Sequence, residues 1–222
     1  GMVLQELPDG IVRLLESDGS VTHFRYQGGI YHASLGDTRT LNKLGDGVYE
    51  MRTKFGNVYR FEAFEFESNR FANAPHSLLT SIRDRNGNQI TLDRSDEGKL
   101  LRVVDPAGRT TLTFEYSGSY ITKVRDLANR EIVFKYSFVT FADGGAVGRL
   151  RSVTDPEGHR TTYTYQGNSF NLVRIEGPNG SRQIFEVDDE NRLRSSLIKG
   201  TDDTVLFRLD YEYSDTQPQY VM

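Results

Sequence analysis

Apolar and polar residues alternate along most of this chain. Thr111, Thr113 and Glu115 alternate with Leu112, Phe114 and Tyr116, and Thr162 and Thr164 alternate with Tyr163 and Tyr165. Ile132, Phe134 and Tyr136 continue the same pattern. A period of two puts one set of side chains on each face of a β-strand. No segment carries a helical stripe of about eleven residues or more. The stretch Asn69 to Ser77 alone reads as a short turn of helix.

The strands are punctuated by a repeat. Leu100 begins LLRVVDPAGRTTLTFEY and Leu150 begins LRSVTDPEGHRTTYTY. Leu79 begins LTSIRDRNGNQITL, Ile121 begins ITKVRDLANREIVFKY, and a weaker copy starts LVRIEGPNGSRQIF at Leu172. Each copy has a turn start: Asp84, Asp105, Asp126, Asp155 and Gly177. A branched aliphatic precedes it by two residues: Ile82, Val103, Val124, Val153, Ile175. Another aliphatic opens the copy: Leu79, Leu100, Ile121, Leu150, Leu172. These ten positions are the expected packing residues of the repeat. The period is about 21 to 22 residues, which is within the range of repeat architectures. The longer interval between Asp126 and Asp155 is filled by residues 138–148, expected as an enlarged loop.

The turn chemistry follows from the residues. Asp105 can accept a hydrogen bond from the backbone two residues on, and Pro106, like Pro156, sets φ for the second position of a type I turn. Gly87, Gly108, Gly158 and Gly180 then supply a left-handed residue at low cost. Asn129 fills that place in the third copy, and Asn tolerates the conformation better than most residues. The result is a three-residue hairpin loop followed by a bulge.

Residues 1–78 are less regular. LLESDGSVTHFRY turns at Asp18-Gly19 and MRTKFGNVYRF at Gly56-Asn57, so this part is expected to hold divergent hairpins that precede or cap the array. Residues 79–213 are the array, its last hairpin turning at Thr201 to Asp203, and residues 214–222 read as a frayed tail. An isolated hairpin is marginal in water, so neighbouring hairpins must pair edge to edge. The expected fold is all-β: consecutive antiparallel hairpins in one long sheet that twists and curls.

Composition narrows the chemistry. The 222 residues contain no Cys, which excludes disulfide frameworks, thiolate nucleophiles and zinc knuckles. Twelve Tyr and 13 Phe argue against disorder although only 36% of residues are hydrophobic. A net charge of -4 argues against nucleic acid. No apolar run approaches the length of a membrane span and no signal peptide is evident. Gly1 before Met2 resembles the scar of a removed tag.

The runs DPAGRTTLTFEY at Asp105 and DPEGHRTTYTY at Asp155 are similar to the tyrosine–aspartate (YD) repeats of the Rhs (rearrangement hotspot) family. Tyr116, Tyr136 and Tyr165 fit the repeat tyrosines. GVYEMRTKFGNVYRF, from Gly47, resembles the irregular region that precedes the regular repeats. Asn129, and Gly177-Pro178 in place of Asp-Pro, depart from the pattern. The resemblance implies a hollow β-shell like those of bacterial polymorphic toxins and of the C component of insecticidal toxin complexes. Related shells occur in teneurins. It implies further repeats of the same polypeptide as neighbours, a toxin cargo, and a secreted or cell-surface setting. The bacterial shells end in a core motif with an aspartyl autoprotease. No match to that motif is present, so the chain is expected to be a fragment of the shell or an unusually short member.

Candidate chemistry outside the repeat is thin. His159 follows a turn Gly and reads as a solvated turn residue; His23 and His32 lack ligand spacing. Asp188, Asp189 and Glu190, and Asp202-Asp203, do not form a calcium-loop pattern. There is no Gly-x-Ser-x-Gly elbow, and Gly144-Gly145 lacks the Lys-Ser or Lys-Thr of a phosphate cradle. Arg102, Arg109, Arg125 and Arg130 are interleaved with Asp105, Asp126 and Glu131 rather than forming a basic face. No catalytic residue, metal or cofactor is expected. The expected role is non-enzymatic: a segment of a shell that encloses or displays a C-terminal toxin or effector. The alternative is a surface-exposed module that binds carbohydrate or a receptor, marked by a contiguous exposed aromatic patch. The shell reading also leaves unpaired sheet edges, open to further repeats or to self-association.

Overall fold

The computed structural model describes residues 1–34, 36–64 and 76–213. These residues form nineteen strands in one antiparallel sheet and no helix. The expected helical turn falls partly outside the described residues, and its last two positions, His76 and Ser77, begin a strand instead. The tail at 214–222 lies outside the described residues. Two compact units divide the chain. One is Gly1–Phe114 with Asp126–Ala128, the other Glu115–Arg125 with Asn129–Met222.

The first unit opens with β1 (Val3–Glu6), β2 (Val12–Leu15), β3 (Val21–Gln27), β4 (Ile30–Ala33), β5 (Thr40–Gly45), β6 (Val48–Arg52), β7 (Val58–Phe64) and β8 (His76–Arg83). Each strand pairs with the next, and β8 returns to β1 through Val3↔Leu78 and Gln5↔His76. The ring of pairings is closed, so these strands make an eight-stranded barrel. A barrel of this size is just wide enough to be filled by its own side chains. Every strand contributes to that filling: Leu4, Val12 and Leu14, Phe24, Tyr31, Leu41, Tyr49 and Met51, Phe61, and Leu79 form one buried cluster. The alternation read from the sequence here separates a dry interior from a wet outside.

A polar cluster ties β1, β5 and β6 together. The Tyr49 hydroxyl donates to Glu6 Oε2 at 2.6 Å, and Lys43 Nζ donates to the same carboxylate at 2.8 Å. Burial, then this bond, raises the Tyr49 pKa far above its ordinary value of 10.0, so the hydroxyl stays a donor. The bonds from Lys43 and Tyr49 lower that of Glu6.

β8 is a fork. Its first half pairs with β1, while Ser81 to Arg83 pair with β9 (Gln89–Arg94). β9 pairs with β10 (Leu100–Val104), and β10 with β11 (Thr110–Ser117). One strand thus closes the barrel and starts the repeat series.

The second unit continues the series. It contains β12 (Tyr120–Asp126), β13 (Glu131–Thr140), β14 (Ala146–Thr154), β15 (Arg160–Tyr165), β16 (Leu172–Glu176), β17 (Arg182–Val187), β18 (Leu193–Lys199) and β19 (Val205–Asp210). Each pairs antiparallel with its successor. Most side chains of β12 to β18 are half-buried, as expected for a sheet one layer thick, and those of β19 are exposed. Residues 138–148 are not the enlarged loop expected from the sequence. β13 and β14 pair through Phe138↔Gly148, Val139↔Val147 and Thr140↔Ala146, and the turn is confined to Phe141–Gly145. The additional residues lengthen the hairpin rather than its loop.

Two glycines test this architecture. Gly47 (φ +66°) joins β5 to β6, and a Cβ there would stand 2.3 Å from Ala63 Cβ; Gly108 (φ +79°) has open space around it. Gly108→Ala should cost about 1–2 kcal/mol through its left-handed backbone alone. Gly47→Ala should cost about 1–3 kcal/mol more through overpacking. Urea unfolding of the two variants checks the order, and equal losses would argue against the close packing of β5–β6 on β7.

Candidate functional site

The repeated residues converge on two local devices: a turn and a lock on the other end of the hairpin. The turn occupies five residues. At Asp105 the first N–H bonds the Arg109 carbonyl at 2.9 Å, and the Gly108 N–H bonds the Asp105 carbonyl at 3.0 Å. Asp105 Oδ1 accepts from the N–H groups of Ala107 and Arg109, both at 2.9 Å, and Oδ2 accepts from Arg109 Nε at 2.8 Å. Asp84, Asp155 and Asp188 do the same with Asn88, His159 and Arg192. At Asp126 the bond from the Ala128 N–H is present. Pro106 and Pro156 stand second in their turns, where no backbone donor is required.

The fourth position is left-handed throughout: Gly87, Gly108, Asn129, Gly158 and Gly180, and also Asn191 and Asp203. In the turns that start at Gly177, Gly200, Phe141 and Glu16 the acceptor moves to the third position, whereas Ser95 keeps it at the first by accepting from the Lys99 N–H. Asn179 accepts from Ser181, Asp202 from Thr204, Asp143 from Gly145, and Asp18 from Ser20. The sequence reading placed the acceptor only at the first position and so missed this second form. It also missed the Ser95–Lys99 turn.

The lock explains a spacing that a regular strand cannot accommodate. Leu150 and Val153 are three apart, yet in a regular strand residues three apart face opposite ways. β14 carries a bulge between them: Lys135↔Ser152 is followed by Tyr136↔Leu150, leaving Arg151 unpaired. The additional residue returns Leu150 to the face of Val153. Thr80 plays the same part between Leu79 and Ile82, Leu101 between Leu100 and Val103, and Val173 between Leu172 and Ile175. Of the ten expected packing positions, Leu79 is buried in the barrel cluster, and Ile82 packs against it. Leu100, Val103, Ile121, Val124, Leu150, Val153, Leu172 and Ile175 are half-buried.

Next to each bulge the ladder toward the following strand stops. β14 pairs with β15 only from Ser152 to Thr154, so the Leu150 carbonyl lies beyond it. The Tyr165 hydroxyl donates to that carbonyl at 2.9 Å. Tyr136 donates to the Ile121 carbonyl at 2.8 Å, and Tyr213 to the Leu193 carbonyl at 2.8 Å. At the β8 fork Arg94 Nε takes the tyrosine's place and donates to the Leu79 carbonyl at 3.0 Å. The residue before the aliphatic covers the ring. The guanidinium of Arg149 lies 4.9 Å from the Tyr165 ring centre, that of Arg192 lies 4.8 Å from Tyr213, and Tyr120 packs on Tyr136 at 4.9 Å. Burial raises the pKa of Tyr136 and Tyr165, which keeps both hydroxyls protonated as donors. Tyr116 occupies the corresponding strand position in the Asp105 copy.

Other candidate groups serve local structure. Asp155, Glu157 and His159 bring ligand atoms within 4.8 Å of one another, but the Asp155 carboxylate is occupied by its own turn. His23 and His32 are exposed on β3 and β4, outside that grouping. Asp188 and Asp202 bond their turns, and Asp203 pairs with Arg182 at 3.0 Å. An open groove of about 1050 Å³ crosses one mouth of the barrel, lined by Arg25, Tyr26, Tyr31, Lys43 and Asp46 among others. Tyr26 is largely exposed there and meets Tyr31 edge-on at 5.1 Å.

Residues 146–182 match the family model described as RHS Repeat. They contain the Asp155 turn, the Tyr165 lock and the Gly177 turn. The chain is also similar to a chain in the structure of the Photorhabdus luminescens Tc holotoxin pore. The identity is 9%, with 91% of this chain and 19% of that chain covered and a TM-score of 0.14. This chain therefore spans less than a fifth of that chain's length.

Tyr165→Phe should cost about 1 kcal/mol in urea unfolding, because it leaves the Leu150 carbonyl without its donor. Tyr163→Phe, outside the lock, should cost less; the reverse order would argue against the lock. The turn carboxylates set a pH dependence. Backbone bonds from Arg109 and Arg192 hold Asp105 and Asp188 below their ordinary value of 3.8. Their stabilisation is complete above that value and is lost as pH falls through the lower folded values. The melting temperature should therefore fall more steeply below pH 3.8 in the wild type than in Asp105→Asn. Parallel acid profiles would refute the assignment.

Proposed function

We propose that this chain, a member of the Rhs/YD-repeat family, serves as a length of wall in a larger shell that encloses or displays another polypeptide. The non-enzymatic, structural character of the repeat underlies this reading. Asp, Gly and Tyr, the residues that recur, are engaged in turns and locks within the sheet. The observation that carries the proposal is the single-layered meander of the second unit. Each hairpin is braced by its own turn, and the Tyr136, Tyr165 and Tyr213 locks brace three of them further, so the series can be extended without a second layer to pack against. Such a sheet offers its broad faces rather than a pocket. A bacterial toxin or effector as cargo, and a secreted or cell-surface setting, belong to this proposal. Among the described residues no helix is long and apolar enough to cross a membrane.

The groove at the barrel mouth favours a second reading, a module that holds a glycan or receptor against Tyr26 and Arg25. The size of the native polypeptide in source cells, read with an antibody to this segment, separates the two. A species of many repeat lengths with a released C-terminal fragment is expected. A species near 25.2 kDa would overturn the shell reading and move the binding module ahead.

A further inference from the structure

We infer that Asn86 is a site of spontaneous modification, where attack by the Gly87 nitrogen deamidates the side chain. Asn86 and Gly87 are the third and fourth residues of the Asp84 turn, and Asn179 and Gly180 hold the same places in the Gly177 turn. Both asparagines are exposed. An Asn–Gly pair sets a nucleophile beside an electrophile. The glycine nitrogen, on losing its proton, attacks the asparagine Cγ. A new N–C bond forms, the Cγ–Nδ2 bond breaks, and the amide nitrogen takes up a proton and leaves as ammonia. Water then opens the five-membered imide at either carbonyl, giving Asp or isoaspartate. Glycine permits the attack because no Cβ hinders its nitrogen.

The two turns treat that reaction differently. In the Asp84 turn the acceptor is at the first position, where Oδ1 accepts from the N–H groups of Asn86 and Asn88 at 2.8 Å and 2.9 Å. The third side chain has no part in the turn, and the Asn86 amide makes no hydrogen bond among the described residues. In the Gly177 turn the third side chain is itself the acceptor. Asn179 Oδ1 accepts from the Ser181 N–H at 3.1 Å and from Ser181 Oγ at 2.7 Å. Those bonds must break before Cγ can turn to the Gly180 nitrogen. Both glycine N–H groups are engaged in their turns, at 3.2 Å for Gly87 and 3.0 Å for Gly180, so that cost is common to both. The charge of Asp84 opposes loss of the Gly87 proton, but at the tip of an exposed hairpin solvent and salt screen it. Releasing Asn179 from two hydrogen bonds is the larger barrier.

The two products differ in effect. Asp at position 86 suits the turn, since Glu157 and Glu190 stand at that place in the Asp155 and Asp188 turns. Isoaspartate adds a methylene to the backbone between residues 86 and 87. It therefore disrupts the bonds from Gly87 to Asp84 and from Asp84 to Asn88 that close the hairpin leaving the β8 fork. The inference does not depend on the shell reading.

Incubation of the folded full chain at mildly alkaline pH, followed by peptide mass mapping, tests it. The Asn86 peptide should convert from amide to acid, partly as isoaspartate, about tenfold or more faster than the Asn179 peptide. Ser181→Ala should speed conversion at Asn179 about fivefold and leave Asn86 unchanged, which separates release of the amide from general unfolding. Asn86→Ser should abolish isoaspartate in this hairpin and leave the urea midpoint of fresh protein unchanged. Equal rates at the two sites, or a faster rate at Asn179, overturn the proposal. So does an Asn86 peptide that stays intact in the folded chain while it converts in the urea-unfolded one, and so does a rate at Asn179 that is indifferent to Ser181→Ala.

Discussion

A carbonyl that the ladder leaves without a partner beside a β-bulge recurs along the chain, and a side chain meets it at Leu79, Ile121, Leu150 and Leu193. The bulge lets two aliphatic residues spaced by three share one face, but it ends the ladder to the next strand. A half-buried carbonyl without a donor is costly. A tyrosine on the following strand is long enough to span the gap with its hydroxyl, and its ring remains to be covered by Arg149, Arg192 or Tyr120. Phenylalanine would supply the ring without the donor. Arg94 at the β8 fork supplies the donor without the ring, which shows that the hydrogen bond is the part that recurs.

The two units stabilise their strands differently. The barrel buries a side chain from every strand in a common interior, where Phe24 and Leu41 are wholly inaccessible. The second unit has no comparable interior. Val139, Ser152, Ser195 and Leu197 are its buried exceptions, with Ser196 beside them. Its cohesion rests on strand ladders, cross-strand contacts between half-buried residues, the turn of each hairpin and the Tyr136, Tyr165 and Tyr213 locks. The turns themselves do not differ between the units: those at Leu7 and Glu16 use the third-position carboxylates of Asp9 and Asp18, as those at Phe141 and Gly200 use Asp143 and Asp202.

Much of this was legible in the sequence because it is local. Asp105, Pro106 and Gly108 specify a turn within five residues, and the alternation around them specifies strands. The acceptor at the third position was harder to see, since Asp18 or Asp202 looks like any polar turn residue until its neighbour's N–H is located. The spacing of Leu150 and Val153 was visible, but its conflict with a two-residue period has meaning only when the register of β13 is known. Barrel closure was not legible at all. It depends on Val3 meeting Leu78, a pairing between segments with no sequence feature in common. The extended hairpin at 138–148 was misread because Phe138 and Gly148, which interrupt the repeat period, still continue the ladder.

The fork at β8 also sets an order of assembly. The repeat hairpins close over a few residues, and local closures of that kind are fast. The barrel is different, because its last seam joins the first strand of the chain to the eighth. On a ribosome, β1 to β7 must therefore wait as an open sheet until β8 has been synthesised and released. The strand that ends this wait is also the template on which the first repeat hairpin grows. Vectorial synthesis thus puts the strand that completes the barrel before β9, the strand that begins the repeat series on it.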